Sequence, residues 1–211
     1  MKVAGSPDGE GSDFFGYSVD IDGDTALIGA YGDNNRSGSA YVFTRTNTVW
    51  DLQAKLIGND TSLNDRFGLS VSLDGDTALI GADSDDDNGS SSGSAYIFVR
   101  SGTSWSQQAK LLASDGINNA NFGSVVSLDS DTALIGAFRD SDNGGLSGSA
   151  YVFVRSGTSW SQQAKLLASD GAASDNFGFS VSLDGDTALI SALYDDDMDA
   201  QSGSAYVFVR S

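Results

Sequence analysis

The residues of this chain best suited to chemistry are aspartates, and they come in runs. Asp83-Ser84-Asp85-Asp86-Asp87-Asn88-Gly89 sets acids at alternating positions before a glycine, and Asp140-Ser141-Asp142-Asn143-Gly144 repeats the pattern in shorter form. Alternation followed by a tight turn lets carboxylates converge, and a hard cation needs about 6–8 oxygens around one point. Asp83, Asp85, Asp87, Asp140 and Asp142 are therefore the candidate metal ligands, with calcium the candidate cofactor and water with sodium the alternative. Asp195-Asp196-Asp197-Met198-Asp199 lacks the glycine, and Asp33-Asn34-Asn35 offers a single acid. Asp22-Gly23-Asp24, Asp74-Gly75-Asp76, Asp129-Ser130-Asp131 and Asp184-Gly185-Asp186 are too short to wrap a cation. They read as hairpin turns, because Gly and Asp tolerate positive φ.

Other chemistry is excluded by composition. The chain has no His and no Cys. That removes the commonest general base, the Ser-His-Asp triad, thiolate metal sites and any disulfide framework. An active site should break a repetitive sequence with a unique, convergent set of polar groups, and none stands out. No catalytic residues are expected, and the chain reads as a non-enzyme. Its 29 acids against 11 bases give a net charge of -18. Nucleic acid, which needs a basic footprint, is not an expected partner. Glu10 is the only Glu, so the acidity is carried by Asp, a residue of turns and loops rather than of helices. No apolar run approaches the length of a membrane span, so membrane insertion is not expected.

The elements that position these acids recur. Phe-Gly appears at Phe15, Phe67, Phe122 and Phe177, at intervals of 52, 55 and 55 residues. Within one unit, Leu69 to Leu73 alternates apolar and small polar residues, the period of a strand. Thr77 to Ile80 returns after the Asp-Gly-Asp turn, and Gly81-Ala82 closes it. After the acidic loop, Ala95-Tyr96-Ile97-Phe98-Val99 is apolar on both faces, as a strand sandwiched between layers would be. Trp105 to Leu112 is a fourth strand, with Trp105, Gln107, Ala109 and Leu111 expected on one face and Ser106, Gln108 and Lys110 on the other. Four antiparallel strands per unit, repeated without helices, read as blades of an all-β β-propeller. Tyr41/Phe43, Tyr96/Phe98, Tyr151/Phe153 and Tyr206/Phe208, with Trp50, Trp105 and Trp160, are expected to pack between blades, a sugar platform being the lesser alternative. The Arg at the ends of the third strands and Lys55, Lys110 and Lys165 on the outer ones are expected to guard edges against aggregation.

Phe-Gly with Gly-Ala some thirteen residues later resembles the FG-GAP repeat of integrin α-subunit propellers. The Ser-Gly-Ser-Ala-Tyr-Val-Phe strands at Ser37, Ser92, Ser147 and Ser202, and the Trp-x-x-Gln-Ala-Lys-Leu strands, are similar to the bacterial branch of that family. Two departures stand out. Tyr31, Asp83, Phe138 and Leu193 replace the Pro of the motif, and Ser191-Ala192 stands for Gly-Ala in the last repeat. The resemblance implies an exported, extracellular or cell-surface protein whose loops on one face of the ring bind a protein or glycan ligand. Met1 to Pro7 lacks the apolar core of a signal peptide, so a trimmed mature chain is expected.

The reading divides one propeller domain, 1–211, into blade 1 at 14–58, blade 2 at 66–113, blade 3 at 121–168 and a three-stranded blade 4 at 176–211. Residues 1–13 are expected to complete the last blade, since Lys2-Val3-Ala4 resembles Lys165-Leu166-Leu167. A closed four-bladed monomer, a homo-oligomer joined by strand exchange, and a fragment of a larger propeller all remain open. A self-assembling structural building block is thus the alternative to an interaction or adhesion module. Phe98–Gly116 and Phe153–Gly171 are identical, which points to recent duplication or a built sequence.

Overall fold

A computed structural model describes residues 11–210. Its strands form four separate antiparallel sheets, one per repeat. Blade 1 is β1 (Val19–Asp22), β2 (Thr25–Ala30), β3 (Ser39–Thr46) and β4 (Val49–Leu56). Blade 2 is β5 (Ser70–Asp74), β6 (Thr77–Ala82), β7 (Ser94–Ser101) and β8 (Ser104–Leu111). Blade 3 is β9 (Val125–Asp129), β10 (Thr132–Ala137), β11 (Ser149–Ser156) and β12 (Ser159–Leu166). Blade 4 has β13 (Phe177–Asp184), β14 (Thr187–Ala192) and β15 (Ser204–Val209). Each sheet is a simple meander, so its tight hairpins, two in each of blades 1 to 3 and one in blade 4, lie at one end. The acidic loops and the inter-blade connections lie at the other. The first strands of successive blades pack closely while the fourth strands scarcely touch, so the blades fan outward.

Cohesion between blades is apolar and repeats in register. Phe67, Phe122 and Phe177 are fully buried. Each meets the Tyr and Phe of its own third strand edge-on, as Phe122 does with Tyr151 at 5.3 Å and Phe153 at 6.0 Å. Leu27, Val42 and Leu56 of blade 1 close over Phe67, Leu73, Ile80 and Tyr96 of blade 2. Burying one such side chain contributes about 1.5–3 kcal/mol, and the ring pairs add about 0.5–1.5 kcal/mol each.

The paired glycines of each repeat form the joint. Gly68, Gly123 and Gly178 have φ of +86°, +87° and +84°, where an L side chain is strained. The N–H of Gly123 donates to the carbonyl of Gly136 in its own blade at 3.0 Å. Its own carbonyl turns to the preceding blade, where it accepts the Ser70 hydroxyl at 2.8 Å. A Cβ built on Gly81 would lie 1.9 Å from that carbonyl oxygen. Gly29 stands in the same relation to Gly68 at 2.0 Å, and Gly136 to Gly178 at 2.2 Å. The fourth position in this series is Ser191. No blade follows it among the described residues, and its hydroxyl instead accepts the N–H of Ser180 at 3.0 Å.

One expectation is amended. A β-bulge between Ile97 and Phe98 on the β7–β8 ladder sets Ile97 opposite Ala109 but Phe98 opposite Gln107. The extra residue breaks the two-residue period. Trp105 packs toward blade 2's core against blade 1, while Ala109 and Leu111 turn to blade 3. The four therefore do not share one face. The outward flanks of blades 1 and 4 are not packed on each other: Ile21 is 62% exposed where its counterpart Leu73 is 6%, and Val207 is 65% exposed where Ile97 is 0%. The proposed completion of blade 4 by the N-terminal segment falls largely on residues 1–10, outside the described residues.

Candidate functional site

The acidic loops place one buried aspartate per blade beneath the third strand: Asp33, Asp85, Asp140 and Asp195. In blade 2, Asp85 accepts the Ser94 hydroxyl at 3.0 Å and lies 2.9 Å from the Tyr96 hydroxyl. That hydroxyl is also 2.9 Å from Asp60, which arrives from the connection between blades 1 and 2. At the centre of these groups is an ammonium. Lys110 Nζ lies 2.8 Å from Asp60, 2.9 Å from Asp85 and 2.7 Å from Asp87. Blade 3 repeats the cluster residue for residue, with Lys165 among Asp115, Asp140 and Asp142. In blade 1, Lys55 reaches Asp33 at 2.7 Å.

The sequence-predicted ligands thus divide. Asp85 and Asp87 converge, as do Asp140 and Asp142, each pair around a lysine of its own blade. Asp83 stands apart, buried, 3.6 Å from Arg66. Asp60, Asp115 and the two lysines were not singled out as site residues. The signal available was the fixed offset of Lys five residues after Trp. Nor are these lysines edge guards: Lys110 and Lys165 are 13% and 15% exposed and lie within the carboxylate clusters. Of the third-strand arginines, Arg45 and Arg210 sit at the surface, while Arg100 and Arg155 are largely covered. Each bonds the second Asp of a hairpin turn, and those of blades 1 to 3 lie over a Trp ring, as Arg100 does with Asp76 at 2.7 Å and Trp105 at 5.3 Å.

Blade 4 has the acids without the ammonium. Carboxylate oxygens of Asp170, Asp195 and Asp197 lie within 4.8 Å of one another. The Tyr206 hydroxyl is 2.8 Å from Asp170 and 2.6 Å from Asp195. No lysine reaches them among the described residues.

Titration follows from these contacts. Burial pushes Asp60 and Asp140 upward, but hydrogen bonds from Lys110 and Tyr96, and from Lys165, Ser149 and Tyr151, outweigh it. Both carboxyls titrate below the ordinary aspartate value of 3.8. Burial opposes the charge of Lys110 and Lys165, yet their carboxylate partners raise both above the usual lysine value. Burial raises Asp83 against the pull of Arg66, and raises Asp65 against a backbone bond from Ser62. A depressed carboxyl stabilises the fold above its unfolded value and loses that contribution as pH falls through its folded value. A raised carboxyl does the reverse, relieving the fold when protonated. The melting temperature is therefore expected to hold or rise from pH 7 to about pH 5, and to fall only below the ordinary aspartate value. A steady decline between pH 7 and about pH 5 in a thermal scan would contradict this balance.

A family model described as FG-GAP repeat matches residues 4–43, 50–98, 105–153 and 160–208. No curated protein matches the chain.

Proposed function

Since the chain belongs to the FG-GAP repeat family, we propose that it is a non-catalytic β-propeller module for protein interaction, with adhesion-like use outside the cell or at its surface. One observation carries this reading. The polar groups capable of chemistry recur in register, and blades 2 and 3 match their acids with lysines of the same fold. Such sets hold loops in place beneath exposed tips. Asp86, Asn88, Asp142 and Asn143 are exposed on adjacent loops at one end of the blades. Loops on a rigid scaffold are where binding residues concentrate. No helix among the described residues is long and apolar enough to cross a membrane.

The test is an array of immobilised extracellular-matrix proteins and glycans. Binding is expected, and Asp86→Ala with Asn88→Ala should abolish it well below the melting temperature, which loss of the Asp86–Ser91 and Asn88–Ala113 hydrogen bonds lowers by about 5 °C. Binding that ignores these variants, or none across the array, would count against the reading. A structural building block remains the second reading, favoured by the exposed Ile21 and Val207 flanks. It predicts a defined oligomer, whereas the interaction module predicts a concentration-independent mass of 21.8 kDa.

Calcium enters as a separate arm. A cation that binds the folded state raises its melting temperature. With Lys110 and Lys165 already among the carboxylates of blades 2 and 3, millimolar calcium is expected to leave the melting temperature unchanged. A rise of several degrees, lost in Asp87→Asn, would place calcium on these loops instead.

A further inference from the structure

Three arginines stand outside the repeating framework. The third-strand arginines and the outer-strand lysines each have a carboxylate within 2.7 Å. Arg66 stands 3.6 Å from Asp83, beyond hydrogen-bond distance. Arg36 and Arg139 are exposed, and among the described residues neither has a carboxylate at ion-pair distance. In a chain of net charge -18, a guanidinium without an acid is the exception.

All three lie at the loop end of blades 1 to 3. Arg36 falls between β2 and β3, Arg66 precedes β5, and Arg139 follows β10. The backbone N–H of Arg66 donates to the Arg36 carbonyl at 2.9 Å. Arg66 and Arg139 both act on Asp83, the second through its charge alone. The three thus follow one track from blade to blade. The repeat does not require them. Leu146 takes the Arg36 position in blade 3, Asn121 takes that of Arg66, and Ser84 takes that of Arg139 in blade 2. By contrast, β8 and β12 are identical in sequence. The departures collect on the surface where the arginines stand.

The arrangement selects the ligand. A guanidinium is a planar fork that matches a carboxylate in two parallel hydrogen bonds. Asp83 is 5% exposed and sets one negative charge against three positive ones. Arg139 lies over the Phe138 ring at 5.4 Å, and Phe179 meets that ring at 5.7 Å in a T-shaped contact. The ring holds the guanidinium in place. With Arg139 over its face, it is no open platform for a sugar. Arginine and phenylalanine are instead the side chains that protein interfaces favour.

We propose that Arg36, Arg66 and Arg139 form a binding track for an acidic segment of a partner protein, whose carboxylates pair with the guanidiniums. The proposal rests on the reading of the chain as a protein-interaction module and states the chemistry of its partner.

The probe is an oligo-glutamate peptide with blocked ends, titrated into the intact chain at low ionic strength by calorimetry, beside the matching oligo-glutamine peptide. Saturable binding of the glutamate peptide alone is expected. Arg139→Gln should weaken it about fivefold or more, and Arg36→Gln likewise. Both side chains are exposed and outside the ion pairs of the fold, so the melting temperature should hold. Asp83→Asn should tighten binding, because the carboxylate that competes for Arg66 is gone. Arg45→Gln makes the same change of charge at the hairpin end and should leave affinity within about twofold. Absence of saturable binding, indifference to Arg139→Gln, weaker binding in Asp83→Asn, or an equal loss in Arg45→Gln would overturn the proposal. So would preference for an oligo-uronate of the same charge, which would assign the track to a glycan. The Asp86 and Asn88 variants of the array experiment leave these arginines in place, so either reading can fail without the other.

Discussion

Lys110→Met is expected to destabilise the chain by about 3 kcal/mol, the low end of the range for breaking a buried ion pair. In a domain of this size that lowers the melting temperature by about 10 °C. The magnitude is decided by who is left behind. Asp60 and Asp87 are 49% and 48% exposed and would be rehydrated at small cost. Asp85 is 3% exposed and would keep its charge in the interior, with the hydroxyls of Ser94 and Tyr96 and the backbone N–H of Asp87 left to stabilise it. An uncompensated interior charge is far more costly than a lost surface contact. Two controls follow. Asp85→Asn in the Lys110→Met background should recover much of the loss, because the stranded charge is gone. Arg45→Ala, which removes an ion pair exposed at both partners, should cost less than about 1 kcal/mol. Equal and small effects of Lys110→Met and Arg45→Ala in denaturant unfolding would mean that the ammonium is not what balances the loop.

The architecture was legible because it repeats. Phe-Gly at a fixed period, strands of period two and Asp-Gly-Asp turns together leave few alternatives to stacked antiparallel sheets, and the four sheets follow the repeats. The site was legible only in part. Alternating aspartates announced convergence, and Asp85 with Asp87 does converge. Their partners come from elsewhere in the chain: Asp60 precedes Lys110 by 50 residues, and no local pattern ties the two together. The β-bulge hid the rest. With strict alternation Lys110 points away from the tryptophan face. The extra residue at Gln107–Gln108 brings it back over Tyr96, 5.2 Å from the ring. A bulge inside a strand of polar residues leaves no trace in hydrophobic periodicity. Ser191 was visible as a departure from Gly-Ala, but its meaning needed the carbonyl that approaches the three glycines.

That approach is what joins the blades: one repeat's Gly-Ala glycine receives the next repeat's Phe-Gly carbonyl. Gly81→Ser copies the residue that the last repeat already carries. Its Cβ would lie 1.9 Å from the Gly123 oxygen and 2.3 Å from the Ser70 hydroxyl. One obstacle is backbone, held by its own blade's hydrogen bonding, so the blades must part rather than a side chain turn aside. Overpacking of a well-filled interior costs about 1–3 kcal/mol, and the immobile neighbour places this case at about 3 kcal/mol or more. Ser191→Gly removes only a hydroxyl bonded within its own blade, at a cost of about 1 kcal/mol or less. Thermal unfolding of Gly81→Ser beside Ser191→Gly is the most direct measurement. The account predicts a loss of about 10 °C for the first and little change for the second. Comparable melting temperatures for the two variants would contradict it.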